Sequence, residues 1–276
     1  MALGIFISMK VFNIPDITTD GSYTLGACCT AILLSQQLPV GLTLIISILA
    51  GAVAGVCTGL IHTKLKIDAL LSGILVMTAL YSVNLIVLGR SNLPLIDNDS
   101  IFSIIKISTD SFINQLIISL IIVALLQKIL HYLLRSDYGI AMRATGNNPV
   151  MTKSMGINND SIRIIGLAIA NALTALSGSL VAQYQGYADI NMGIGIVITG
   201  LGAVLIADTM KYWFGLQKIS KQLLLVLLGI ILFQFVLAFT LSRGVDPNML
   251  KLFTAAFVLI IVALPRISST VMKTRA

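Results

Sequence analysis

Two carboxylates four residues apart, Asp16 and Asp20, fall in the polar stretch Pro15-Asp16-Ile17-Thr18-Thr19-Asp20-Gly21-Ser22-Tyr23. The apolar runs on either side, 2–14 and 22–36, are each short for a membrane crossing, which takes about 20 residues. A carboxylate near membrane depth is costly and is usually kept for contact with a solute, an ion or a proton. Thr19, Ser22 and Tyr23 add hydroxyl groups to the same stretch. A second break, expected over Tyr187–Gly202, also contains Asp-Ile and also runs on to Leu-Gly-Ala, at 201–203 as at 25–27. Paired interruptions in the two halves of a transporter point to its substrate path. Asp16, Thr19, Asp20, Ser22 and Tyr23 are therefore expected beside such a path, together with Asn171 from the interior of a later apolar run.

Other chemistries find little support. No Gly-x-x-x-x-Gly-Lys-Ser/Thr phosphate loop occurs, and no His-Glu-x-x-His or nucleophile constellation accompanies His62 and His131. Every acidic residue is Asp, and Cys28, Cys29 and Cys57 lack ligand spacing, so neither a cofactor nor a metal is expected. The chain is not expected to be an enzyme.

The elements that must position these residues follow from hydropathy. Of the 276 residues 57% are hydrophobic and only 11% charged, where a soluble domain carries roughly 25% charged residues. Long apolar runs lie at 40–62, 69–89, 113–134, 161–185, 222–242 and 249–265, with a shorter one near 194–210. All six prolines fall between these runs or at their ends, where a missing N–H breaks no helix. The expected fold is all-α: a polytopic transmembrane helical bundle of about 8–9 membrane segments, two of them short or interrupted, in one domain over 1–276. Gly51, Gly55 and Gly59 recur every fourth residue and place a smooth stripe on one helix, suited to close packing.

Most of the 18 Lys and Arg residues, which give the net charge of +7, fall on one side of this arrangement. Lys64, Lys66, Arg135, Arg143, Lys153, Arg163, Lys211, Lys218 and Lys221 mark that side, and Arg266, Lys273 and Arg275 put the C-terminus there too. By the positive-inside rule it is the cytoplasm, so the charge sets topology in a lipid bilayer and does not point to nucleic acid.

The 135–160 loop on that side is the most patterned stretch. Asn148 is a good N-cap, Pro149 a favoured first helical residue, and Gly156 suits a left-handed end. A short helix over about 149–155 follows, with Asn159 or Asp160 expected to cap the next membrane helix.

Gly139, Met142-Arg143-Ala144-Thr145-Gly146-Asn147-Asn148-Pro149 and Gly156-Ile157-Asn158 together resemble the coupling loop of the branched-chain amino-acid/ribose-type ABC permease family. Pro15–Ala27 resembles that family's early motif near the translocation path, and the resemblance covers essentially the whole chain. It is greatest for a branch of small permeases tied to aromatic amino acids. It implies a membrane-spanning permease subunit in a bacterial-type inner membrane, importing a small solute such as an amino acid. Arg143, Gly146, Asn147, Asn148, Pro149 and Gly156 would then face a separate cytoplasmic ATP-binding subunit. A second permease copy and an extracellular substrate-binding protein complete the implied assembly. An ion-coupled secondary transporter or channel would also use interrupted helices carrying Asp16 and Asp20, but leaves the patterned loop unexplained.

Overall fold

The computed structural model describes residues 1–96, 98–215, 218–244, 249–250 and 252–261, the side chain of Trp213 excepted. Two compact units divide between Ile194 and Gly195. The first holds α1 (Ala2–Ile5), continued as a π-helical stretch Phe6–Val11, then α2 (Thr18–Ser35), α3 (Val40–Lys64) and α4 (Ala69–Leu88). It goes on through β1 (Asn92–Pro94), α5 (Ile101–Ile104), α6 (Ser111–Arg135), α7 (Asp137–Asn147), α8 (Pro149–Ser154), α9 (Asn159–Gln185) and β2 (Tyr187–Asp189). The second unit holds α10 (Ile196–Phe214), α11 (Ile219–Ser242) and α12 (Leu252–Ile261).

The protein is all-α and polytopic. Among the described residues α3, α4, α6, α9 and α11 are long and apolar enough to cross a membrane, by length and composition. The other expected segments form shorter or more polar helices: Ala2–Val11, α2, α10 and α12. Arg266, Lys273 and Arg275, on which the expected side of the C-terminus rested, lie outside the described residues.

Helix ends obey the local signals. Asp68 caps α4 by accepting from the Leu70 N–H at 2.9 Å, and Asp110 caps α6 by accepting from that of Phe112 at 3.1 Å. Gly89 and Gly186 close α4 and α9 in the left-handed region, at φ of 69° and 75°. A Cβ-bearing residue pays a steric cost there that glycine does not.

Helix α9 is the most enclosed of the five long apolar helices, and α6 the least. The glycine stripe of α3 explains much of that enclosure. A Cβ at Gly51 would meet Ala175 and the Asn171 carbonyl, at Gly55 the Leu167 carbonyl and Ala168, and at Gly59 Ile164. Helix α2 lies against α9 in the same way, through Gly26 on the Ala175 backbone and Gly178 on the Tyr23 carbonyl. Lipid tails are as apolar as leucine, so contacts this close, and not hydrophobicity, hold the helices together. In the second unit, Gly229 brings α11 onto the Ala203 backbone of α10, and Phe233 packs on Phe257 with ring centroids 5.5 Å apart.

Gly55→Ala forces α3 away from α9 and should cost about 1–3 kcal/mol, as overpacking does in other close-packed cores. Gly41→Ala, in the first turn of the same helix with nothing within 4 Å of the added methyl, should be neutral. Thermal unfolding of the two purified variants in detergent checks the contrast.

Candidate functional site

The first break folds into a buried polar cluster. Asp16 is fully enclosed; its Oδ1 accepts from the Thr18 N–H at 2.9 Å and its Oδ2 from Asn171 Nδ2 at 2.7 Å. Asn171 Oδ1 in turn accepts from the Ser22 hydroxyl at 2.7 Å, and Nδ2 also reaches the Leu167 carbonyl at 3.0 Å. Thr19 donates its hydroxyl to the Asp16 carbonyl at 3.2 Å. Asp16, Thr19, Ser22 and Asn171 thus form one connected group, although up to 155 positions separate them in sequence.

Asp20 and Tyr23 lie buried beside this group, on the first turns of α2. A carboxylate in a first turn faces the positive end of the helix dipole. Tyr23 contributes its backbone to the α9 contact at Gly178. Asn84 of α4 donates to the Gly21 carbonyl at 3.2 Å, an interhelical bond.

The second break meets the first. Gly193 has no room for a Cβ because the Asp20 carbonyl and Thr24 lie against it. The break is narrower than the expected Tyr187–Gly202. β2 pairs antiparallel with β1, Asn92 opposite Asp189, and α10 already begins at Ile196 after Gly195 in the left-handed region. Left-handed Gly195 completes the turn, and residues 196–202 are helical, with the Thr199 hydroxyl donating back to the Ile196 carbonyl at 2.8 Å.

A layer of hydroxyl groups farther along α2 escaped the sequence reading. Thr30 bonds to Ser47 of α3 at 2.9 Å and to Ser179 of α9 at 2.5 Å. Nearer the break, Thr18 and Thr58 share a bond of 2.8 Å. Single Ser and Thr residues in apolar runs carry no spacing signal of their own, so only the helix pairing reveals these contacts.

At the end of the bundle where α3 and α6 stop and α9 starts, α7 and α8 form a compact pair. Asn148 caps α8 by accepting from the Met151 N–H at 3.0 Å, and Pro149 is the first helical residue. Gly156 takes a φ of 81°, and the Ile157 N–H returns to the Thr152 carbonyl at 3.1 Å, closing the helix. Asn147 and Asn148 are exposed, while Arg143 is half-buried with Nε donating to the Gly139 carbonyl at 3.4 Å.

Three features here differ from the sequence reading. Residues 137–147 form a helix of their own, capped by Ser136. The cap of α9 is Asn158, accepting from the Ser161 N–H at 3.2 Å, and neither Asn159 nor Asp160. Asn159 is drawn instead onto α8: Nδ2 donates to the Pro149 carbonyl at 2.6 Å, and Oδ1 accepts from the Thr152 hydroxyl at 2.8 Å. Asp160 pairs with Lys64 at 3.4 Å, an exposed ion pair of little energetic weight. Gly146 faces inward, where a Cβ would overlap the Val11 carbonyl.

This pinning leaves an apolar surface in view. Val150 is 75% exposed and Met155 67%, with Met151 and Ile140 also open, on elements otherwise rich in polar residues. Apolar side chains left outward on a short rigid helix suit a protein groove better than water.

A family model described as the branched-chain amino acid transport system permease component matches residues 1–263. A tyrosine transport system permease protein of Clostridioides difficile is 38% identical over all of this chain and 90% of its own length. A ribose import permease protein of Haemophilus influenzae is 24% identical over 76% of this chain and 64% of its own. A probable branched-chain amino acid transport permease protein of Methanocaldococcus jannaschii is 28% identical over 67% and 62% respectively. No solved structure gives a significant match.

Asn171→Leu removes a donor from Asp16 and an acceptor from Ser22 in one step, and should destabilise the protein by about 1–3 kcal/mol, more than Ser22→Ala. Detergent unfolding curves of both variants check the order. Asn159→Ala should leave the membrane helices intact but loosen α8, raising amide exchange over Met151–Met155 by about tenfold per lost hydrogen bond. Hydrogen-exchange mass spectrometry reads that change.

Proposed function

The chain belongs to the branched-chain amino acid transport permease family, and from that membership we propose that it is the path-forming subunit of an importer for an amino acid of the aromatic class. It is a permease of an ABC-type transport system, and energy reaches it from outside its own sequence. The α7–α8 pair is the contact for a separate cytoplasmic ATP-hydrolysing subunit, with Arg143, Asn147, Asn148, Pro149 and Gly156 shaping the docking helix. Gly146 serves the same unit from within, by seating α7 against the N-terminal segment. The observation that carries this reading is the outward apolar edge of a helix fixed at both ends and held by Asn159. Such a helix moves as a rigid body and passes a push from a partner to α7 and α9.

The Asp16, Thr19, Asp20, Ser22, Tyr23 and Asn171 group stands beside the solute path, where the two breaks meet. All of these residues are buried in this single chain, so the path opens by moving α2 relative to its neighbours or along a face shared with a second copy. That second copy makes a homodimer, and an extracellular substrate-binding protein delivers the solute. The eight or nine segments form one permease domain of a bacterial inner membrane, with the C-terminus in the cytoplasm. Support for the aromatic class is the 38% identity with the tyrosine permease.

Proteoliposomes holding the chain alone should neither hydrolyse ATP nor accumulate radiolabelled tyrosine. Adding the cognate ATPase and binding protein should give uptake that requires ATP. Tyrosine uptake driven by an ion gradient through the chain alone would overturn the proposal.

A further inference from the structure

We propose that Asn13 is a positioning residue that ties α7 to the buried Asp16 cluster, so that movement of α7 reaches the first break. The inference rests on the reading of α7–α8 as the contact for an ATPase, and it names the route by which that contact acts.

The route begins at the last turn of α7. The final carbonyls of a helix lack intrahelical donors and must be satisfied from elsewhere. Asn13 Nδ2 donates to the Gly146 carbonyl at 3.1 Å, a bond spanning 133 positions of sequence. Beside it, the backbones of Gly146 and Val11 are in direct contact, because a Cβ at 146 would overlap the Val11 carbonyl and press on Phe12. No flexible side chain lies between the two elements at this point to absorb a displacement.

The segment that receives the push is itself constrained. Asn13 sits in the left-handed region at φ 54°, where Asn is tolerated far better than most residues. The Ile14 N–H returns to the Ser8 carbonyl at 2.9 Å, which holds the turn against the π-helical stretch. The Phe12 ring fills the space over Gly166 of α9 that any larger residue would occupy. Three residues beyond Asn13 comes Asp16, fixed by Asn171, and three residues span at most about 10 Å of chain. The segment 13–16 is therefore a short strut pinned at both ends, to α7 by Asn13 and to α9 by Asp16.

The residue type fits this role. The position needs a left-handed backbone and a side-chain donor of short reach. Glycine supplies the first without the second. Aspartate supplies the first and turns a carboxylate toward a carbonyl. Asn13→Gly and Asn13→Asp therefore remove the hydrogen bond while sparing the turn.

The test uses the full transporter in proteoliposomes, with tyrosine as probe, and reads solute transported per ATP hydrolysed. Both variants should retain the ATPase on purification and hydrolyse ATP within about twofold of the parent, while the ratio falls about tenfold, the scale set by one hydrogen bond. A role confined to stability would lower hydrolysis and uptake together and leave the ratio unchanged, which would overturn the inference. Loss of the ATPase from either variant would also overturn it, by making Asn13 a docking residue. If the parent chain itself retains no ATPase, the functional reading fails instead, and the two failures are told apart by that control.

Discussion

A carboxyl group enclosed in a helical membrane bundle must find its hydrogen-bond donors within the protein, and for Asp16 they come from Thr18 and Asn171. Much of the first unit follows from meeting that demand. Asn171 reaches Asp16 only if α9 runs close beside the start of α2. That closeness requires glycine at 26 and 178 on this face and at 51, 55 and 59 where α3 closes the other side. The backbone between Val11 and Thr18 has to leave helical geometry to turn Asp16 inward, and it does so through left-handed Asn13 and through Pro15. Polar cost, helix proximity and the interrupted backbone are one arrangement.

The opposite design governs the pair α7–α8. There the polar groups serve to fix a short element, and the apolar ones are left outside. A six-residue helix has little stability of its own, since nucleation is costly and few internal bonds follow. Asn148 at one end, Gly156 at the other and Asn159 across the side supply what the helix lacks. The result is a short element held at both ends and across one side, with Val150, Met151 and Met155 exposed, as the proposed docking role requires. The buried cluster and this pair are joined through the Val11–Asp16 segment, the route proposed for coupling between them.

Local chemistry could be read in the sequence with fair accuracy. The prolines among the described residues, the Asn148 cap, the Gly156 turn and the glycine stripe of α3 each depend on a few adjacent residues, and each takes the form expected. Asn171, expected beside the path from its place inside an apolar run, bonds directly to Asp16. What escaped the sequence depends on which faces meet. Nothing near Gly146 announces that Val11 lies against it, and nothing in Asn158-Asn159-Asp160 says which residue caps α9 and which holds α8. Three adjacent polar side chains offer the same capping chemistry, and only the approach of α8 separates their roles. The contact of Gly193 with Asp20 likewise arises from the pairing of β2 with β1, a long-range match that three-residue strands do not signal.

Site-specific crosslinking from α8 to the ATPase addresses the central claim most directly. Single cysteines would replace Val150, Met151 and Met155, with Ile96, exposed on the connection between α4 and α5, as the control. In the assembled transporter the α8 positions should crosslink to the ATPase, with yields that change between the nucleotide-free and ATP-bound states, and position 96 should not. Crosslinks absent from all three α8 positions, in an assembly that still transports, would contradict the account.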